Sequence, residues 1–240
     1  MMGFGRRSGE AILAMSLALL VAPSEAQVLR LLATEWPPYC GEALPGGGRL
    51  VRSVRTAFRQ AGYQTEVRVM PWKRALASLA SGEADGLIGA EQSSSTPAAM
   101  AVSVELMQDR EYLFSRQTER AASAARLEVF RGKRVGVMRG SVVPELRAVG
   151  MLVEEANNDE ANLRKLQLGR LDLMLANADE VEHLVANEPA LAQRIQRLEP
   201  PIYRNPLYLL LSRRLSNWPK VMSDFNAAWE RGEAMRTIEK

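Results

Sequence analysis

Apolar and polar residues follow two alternating periods along this chain. Val28 to Ala33 is an apolar run of strand length, after which Leu50, Val51, Val54, Ala57, Phe58 and Ala61 recur at helical spacing, with Gly62 where that helix stops. Thr65 to Met70 alternates polar and apolar residues up to Pro71, which predicts a strand. Trp72, Ala75, Leu76, Leu79 and Ala80 form the next helical stripe, closed by Gly82, and Gly86 to Ala90 reads as a short buried strand. The same order returns further on. Arg134 to Met138 predicts a strand, Ser141 a helix cap, Asn162 to Leu168 a helix stopped by Gly169, and Leu173 to Leu175 a buried strand. Leu207 to Leu211 adds a strand, and Val221 to Trp229, with Phe225 facing the same way, a last helix.

Strands alternating with helices predict an α/β fold whose mostly parallel sheets are flanked by helices. One correspondence divides it in two. Gly82-Glu83-Ala84-Asp85 and Gly169-Arg170-Leu171-Asp172 each stand between an amphipathic helix and a buried strand. The expected organisation is a first lobe of 27–117 plus 207–240 and a second lobe of 118–206, with Arg204-Asn205-Pro206 in the return crossing. Two crossings make a hinge, and the cleft between the lobes can close on a ligand.

Residues 1–26 read as an export signal rather than as part of the fold. Arg6 and Arg7 precede an apolar run from Ala11 to Ala22, shorter than the roughly 20 residues a bilayer span needs, and Ser24-Glu25-Ala26 offers small residues for cleavage after Ala26. Ser8-Gly9-Glu10 lacks the apolar residues expected after a twin-arginine pair, which favours the general secretory route to the periplasm. The net charge of +3 is too small and too dispersed to argue for nucleic acid. Cys40 is the only cysteine, so no disulfide forms within the chain and stability must come from packing. His183 is the only histidine, which leaves metal sites and histidine-based catalysis with little support. Gly46-Gly47-Gly48 lacks the spacing of a phosphate loop and reads as a turn, so no cofactor is expected.

Six segments taken in order resemble family 3 of the bacterial solute-binding proteins. They are Trp36-Pro37-Pro38-Tyr39, the glycine-rich 41–48, Pro71-Trp72-Lys73-Arg74-Ala75-Leu76, Gly82-Glu83-Ala84-Asp85-Gly86, Gly132-Lys133-Arg134-Val135-Gly136-Val137 and Gly169-Arg170-Leu171-Asp172. The resemblance covers the chain beyond the signal. It implies a type II-like periplasmic-binding-protein fold, a small-molecule ligand, a monomer, and delivery to the membrane permease of an ABC importer. Members of this family usually bind amino acids, with an arginine for the α-carboxylate soon after the strand ending at Ala90, and an acidic residue for the ammonium after the second Gly-x-x-Asp. Here the first segment reads Thr96-Pro97-Ala98-Ala99-Met100, and the second position falls on Asn177, with Asp179 close by. Without both anchors a zwitterion's charges stay unpaired, so the expected ligand is not a standard α-amino acid.

Other residues then become candidates. Glu35, Trp36 and Tyr39 follow the first strand, where an aromatic platform and a carboxylate suit a cationic or planar solute. Trp72 and Arg74 open the helix after the second strand, and Gln92 begins the polar loop Gln92-Ser93-Ser94-Ser95. Arg139 and Ser141 flank a strand-to-helix turn whose N–H groups could face an anion. Two further functions remain open on this scaffold: a periplasmic enzyme resembling cyclohexadienyl dehydratase, with Glu35 or Glu91 as acid or base, and a ligand-sensing partner of a signalling receptor. Against the enzyme stands the lack of two acidic residues in motifs assignable to the cleft.

Overall fold

The strand β1 (Val28–Ala33) carries Leu29 and Leu31 into a fully buried core. In this computed structural model residues 27–92, 96, 98–117, 123–186 and 188–232 are described. The expected export signal over 1–26, Ser93 to Ser95 of the polar loop and Pro97 lie outside them. After β1 come α1 (Arg49–Gln60), β2 (Gln64–Val69), α2 (Trp72–Ser81), β3 (Gly86–Glu91), the short β4 (Met100–Val102) and the long β5 (Met107–Arg116). The second half runs β6 (Arg134–Met138), α3 (Pro144–Ala148), β7 (Leu152–Ala156), α4 (Asp159–Gln167), β8 (Leu173–Asn177), α5 (Ala178–Val185) and α6 (Pro189–Ala192). An 18-residue strand, β9 (Ile195–Ser212), and α7 (Trp218–Glu230) complete the described chain. Among the described residues no helix is long and apolar enough to cross a membrane.

The strands lie in the order β2-β1-β3-β9-β5-β8-β6-β7, with β4 beside β9. β1 is parallel to β2 and β3, and β6 is parallel to β7 and β8, so each half repeats one three-stranded parallel unit. β5 and β9 lie antiparallel between the two units, β9 against β3 and β5 against β8. These two strands are the crossings, and β9 runs unbroken from one half into the other.

The recurring Gly-x-x-Asp proves to be the same staple in both halves. Asp85 accepts the backbone N–H of Arg30 at 2.8 Å and its guanidinium at 3.0 and 3.2 Å, while the same guanidinium donates to the Gly82 carbonyl at 3.3 Å. Asp172 accepts the backbone N–H of Arg134 at 2.8 Å, and that guanidinium reaches Asp172 at 3.5 Å and the Gly169 carbonyl at 3.0 Å. Each aspartate thus ties a helix end to the first strand of its own unit. Charge-assisted hydrogen bonds at partly buried positions contribute about 1.5–3 kcal/mol each.

Packing completes each half separately. α7 returns to the first unit, where Phe225 meets Phe58 with ring centroids 4.6 Å apart and Trp229 stacks behind at 5.8 Å. In the second unit Leu113, Val135, Val137, Leu146 and Leu173 form one buried layer, while Leu166, Met174 and Val181 belong to the layer on the other side of the sheet. One sequence expectation is corrected. Ser141 does not cap a helix, because α3 begins at Pro144 after Val143. Proline's fixed φ suits the first helical position but supplies no N–H there, and the Ser141 N–H is already given to the Met138 carbonyl at 3.0 Å. That N–H is therefore not free for an anion, and no helix N-terminus begins at Ser141.

Candidate functional site

The loop after β1 is held in place by the start of α1. The N–H groups of Arg49 and Leu50, which a helix start leaves without internal partners, donate to the carbonyls of Pro38 and Tyr39 at 3.1 and 3.0 Å. This needs glycine at 48: its φ is +99°, and an added Cβ would lie 2.3 Å from the Tyr39 carbonyl oxygen. The glycine-rich turn therefore brings the backbone of the aromatic loop close. Trp36 and Tyr39 stack with centroids 4.2 Å apart. Cys40 is buried beneath them, and burial, followed by the charge of Glu35, pushes its thiol up to about 12, which leaves it unreactive at neutral pH.

Opposite this loop lies the junction of β8 and α5. Asn177 is the N-cap of α5, its Oδ1 accepting the N–H groups of Asp179 and Glu180 at 2.8 and 3.3 Å, while its Nδ2 donates to Asp109 at 2.6 Å. The Tyr39 hydroxyl donates to Asp179 at 2.6 Å, the Trp36 indole donates to Glu180 at 3.2 Å, and Arg49 forms an ion pair with Asp179 while lying 4.3 Å over the Tyr39 ring. The bonds from Tyr39 and Arg49 to Asp179, from Trp36 to Glu180 and from Asn177 to Asp109 each join the first lobe to the second. They form a latch that holds the lobes together.

On one side of the latch five carboxylates converge. Glu91 ends β3, Asp109 and Glu111 point to one face of β5, Asp159 opens α4, and Glu180 sits in the first turn of α5. Burial first, and then the charges of Asp109, Asp159 and Glu91, push the Glu111 carboxyl up to about 8. Glu180 is raised by burial and then by Asp159, and Asp159 is raised by burial, the two carboxyls being close enough to share a hydrogen bond. Asp109 is raised by burial despite the opposing hydrogen bond from Asn177, and Glu91 by burial and by Asp109. Among the described residues no lysine or arginine is ion-paired with any of the five. The site therefore carries a proton-holding excess of negative charge that a cation would relieve.

The structure brings Trp36, Tyr39 and Asn177 together at this place. Asn177 spends both side-chain groups on the cap and on Asp109, so it positions the carboxylates. Glu35 is exposed and accepts the Glu42 N–H at 3.2 Å. Trp72 is 43 % exposed, and Arg74, Gln92 and Arg139 are exposed with no contact to the carboxylate group; Ser141 is half-buried in its turn. Asp109, Glu111, Asp159 and Glu180 were missed from sequence. The acid, base, acid order of Asp109-Arg110-Glu111 in a strand was the available signal, since alternation sends the acids to one face and the base to the other. The objection to catalysis that rested on too few acidic residues in the cleft no longer holds.

No family model matches the chain, and no curated protein sequence matches it. Solved structures match it in fold. The GluR0 ligand-binding core in complex with L-glutamate has a TM-score of 0.72 at 16 % identity, covering 90 % of this chain and 98 % of that one. A histidine kinase sensor domain with similarity to periplasmic binding proteins gives 0.70 at 18 %, covering 89 % and 93 %. The substrate binding protein of an amino acid ABC transporter gives 0.66 at 14 %, covering 88 % and 97 %. At such identities the shared property is architecture: this chain has the two-lobed periplasmic-binding-protein fold, and its carboxylate group and aromatic pair lie between the lobes.

Proposed function

We propose that this protein is a periplasmic solute-binding protein whose cleft takes an organic cation bearing no carboxylate, such as a diamine or a guanidinium compound, and hands it to an ABC-type importer. The observation that carries the reading is the convergence of five carboxylates from both lobes and the hinge, with no described basic residue paired to them. Two ammonium groups, or a guanidinium and an ammonium, would restore those charges, while the half-buried Trp36 ring, backed by Tyr39, offers a face for the chain between them. An α-carboxylate would meet repulsion there, and Arg49, at the latch, is committed to Asp179. The transporter substrate binding protein with this fold supports delivery to an importer. The sensor domain supports a ligand-sensing partner of a signalling receptor as the second reading.

A catalytic role is the weaker alternative. Glu111 holds its proton at neutral pH and could act as a general acid, but a dehydratase acting on an anionic acid would have to place that anion among carboxylates. Calorimetry with agmatine, putrescine and spermidine beside arginine and glutamate tests the proposal. Agmatine should bind more tightly than arginine, from which it differs by the carboxylate. Micromolar binding of glutamate or arginine with no binding of the amines would refute it, and turnover of prephenate-like acids would establish the enzyme instead.

A further inference from the structure

β5 presents opposite charges on its two faces. Asp109 and Glu111 look into the carboxylate group, while Gln108, Arg110 and Tyr112 look the other way, into a cavity of about 880 Å³ behind the hinge. That cavity is bounded by Tyr39, Arg49 and Leu106 from the first lobe and by Asn177, Ala178 and Asp179 from the second, so the latch is the wall it shares with the carboxylate site. Arg197 also lines it, ion-paired with Glu199 at 2.9 Å and lying 4.8 Å over the Tyr112 ring.

Across the hinge ladder Arg110 stands directly opposite Arg204, so both guanidinium groups rise from the same face at closest spacing. Like charges so placed are destabilising, and neither guanidinium has a partner among the described residues. A third donor nearby, the Arg49 Nε, is buried without an acceptor. The acidic groups around the cavity are largely engaged elsewhere: Asp179 with Arg49 and Tyr39, Glu199 with Arg197, leaving Glu105 alone.

We infer that the cavity behind the hinge is a second binding site, for a compact polyvalent oxyanion held by Arg110, Arg49 and Arg197 of its lining, with Arg204 adding its charge from the strand position opposite Arg110. An anion there neutralises an unpaired like-charge pair and supplies guanidinium groups with the oxygen acceptors they lack. The cavity is walled by both lobes and by the strands that join them, so its shape changes with the angle between the lobes. Occupancy behind the hinge therefore biases closure in front of it, and by linkage the front ligand alters the anion's affinity. The site does not depend on which solute the front cleft takes.

The test uses the chain without its signal, titrated with inorganic pyrophosphate and separately with citrate, against sodium chloride at matched ionic strength. Saturable heat and a rise in melting temperature are expected for at least one anion, the pair of probes separating phosphoryl from carboxylate ligands. Arg110→Gln and Arg204→Gln should each weaken that binding roughly tenfold, and without anion each should melt no lower than the parent because repulsion is relieved. Arg59→Gln removes the same charge from an exposed position on α1 and should leave the titration unchanged. Equal stabilisation by sodium chloride, or undiminished binding in both hinge variants, would overturn the inference.

Discussion

Replacing Glu111 by glutamine should make the ligand-free protein more stable at pH 8 and leave it nearly unchanged at pH 5. The carboxyl has an ordinary value of 4.5 and is pushed up to about 8 in the fold, by burial first and then by Asp109, Asp159 and Glu91. Between those two values the folded chain keeps a proton that the unfolded chain releases, so stability falls as pH rises. Below 4.5 both states are protonated and nothing is lost; above about 8 the loss is complete. At ~1.4 kcal/mol per pH unit the full span is ~5 kcal/mol, and water reaching a group that is only partly enclosed reduces this to about 2–3 kcal/mol. Glutamine copies the protonated shape and cannot ionise. Urea unfolding of parent and Glu111→Gln at pH 5 and pH 8 should therefore show the variant ahead by about 2–3 kcal/mol at the higher pH alone. Parallel pH curves for the two proteins would refute the reasoning, since Glu111 would then titrate as it does in water.

The same electrostatics predict that a cation entering the cleft expels protons, mainly from Glu111 and Glu180. Titration of agmatine at pH 7 in MOPS and in ACES, buffers that are neither polyvalent oxyanions nor simple amines, should give heats that differ with the buffer's ionisation enthalpy, and identical heats would contradict this. Asp85→Ala and Asp172→Ala should each destabilise by about 1.5–3 kcal/mol and add when combined, as they staple separate units; equilibrium unfolding measures this, and a loss in one half only would break the equivalence of the staples. Asp179→Asn removes the charge that both Arg49 and Tyr39 hold. The ligand-free variant should spend more time open and show a larger radius of gyration in solution scattering, whereas an unchanged radius would mean the latch does not hold the lobes.

Sequence periodicity located the buried parallel strands, as at Gly86 to Ala90 and Arg134 to Met138, because they are apolar on both faces and bounded by glycines, but it missed the parallel β7, whose Leu152 and Glu155 are exposed. It also located the Gly-x-x-Asp pair, although not what the aspartates do, since Arg30 and Arg134 are 55 and 38 positions away in sequence. β5 escaped notice. Its first half, Met107-Gln108-Asp109-Arg110-Glu111, carries charge on both faces and so lacks the apolar alternation of a half-buried strand. The candidate site was legible where it rests on local chemistry, in Trp36, Tyr39 and Asn177. Asp159 and Glu180 look like ordinary acidic residues in the first turns of helices, a favourable place for them on the helix dipole alone. Only the juxtaposition of four chain segments turns them into one charged group.

The hinge strand also sets how this protein can change over time. Because acids occupy one parity of β5 and Arg110 the other, losing a single residue ahead of Asp109 would do more than shorten a crossing. It would invert the electrical sign on both sides of the hinge at once, placing guanidinium where carboxylates now converge. Loops around the lobes can absorb gains and losses of length, but this strand can drift only by substitution.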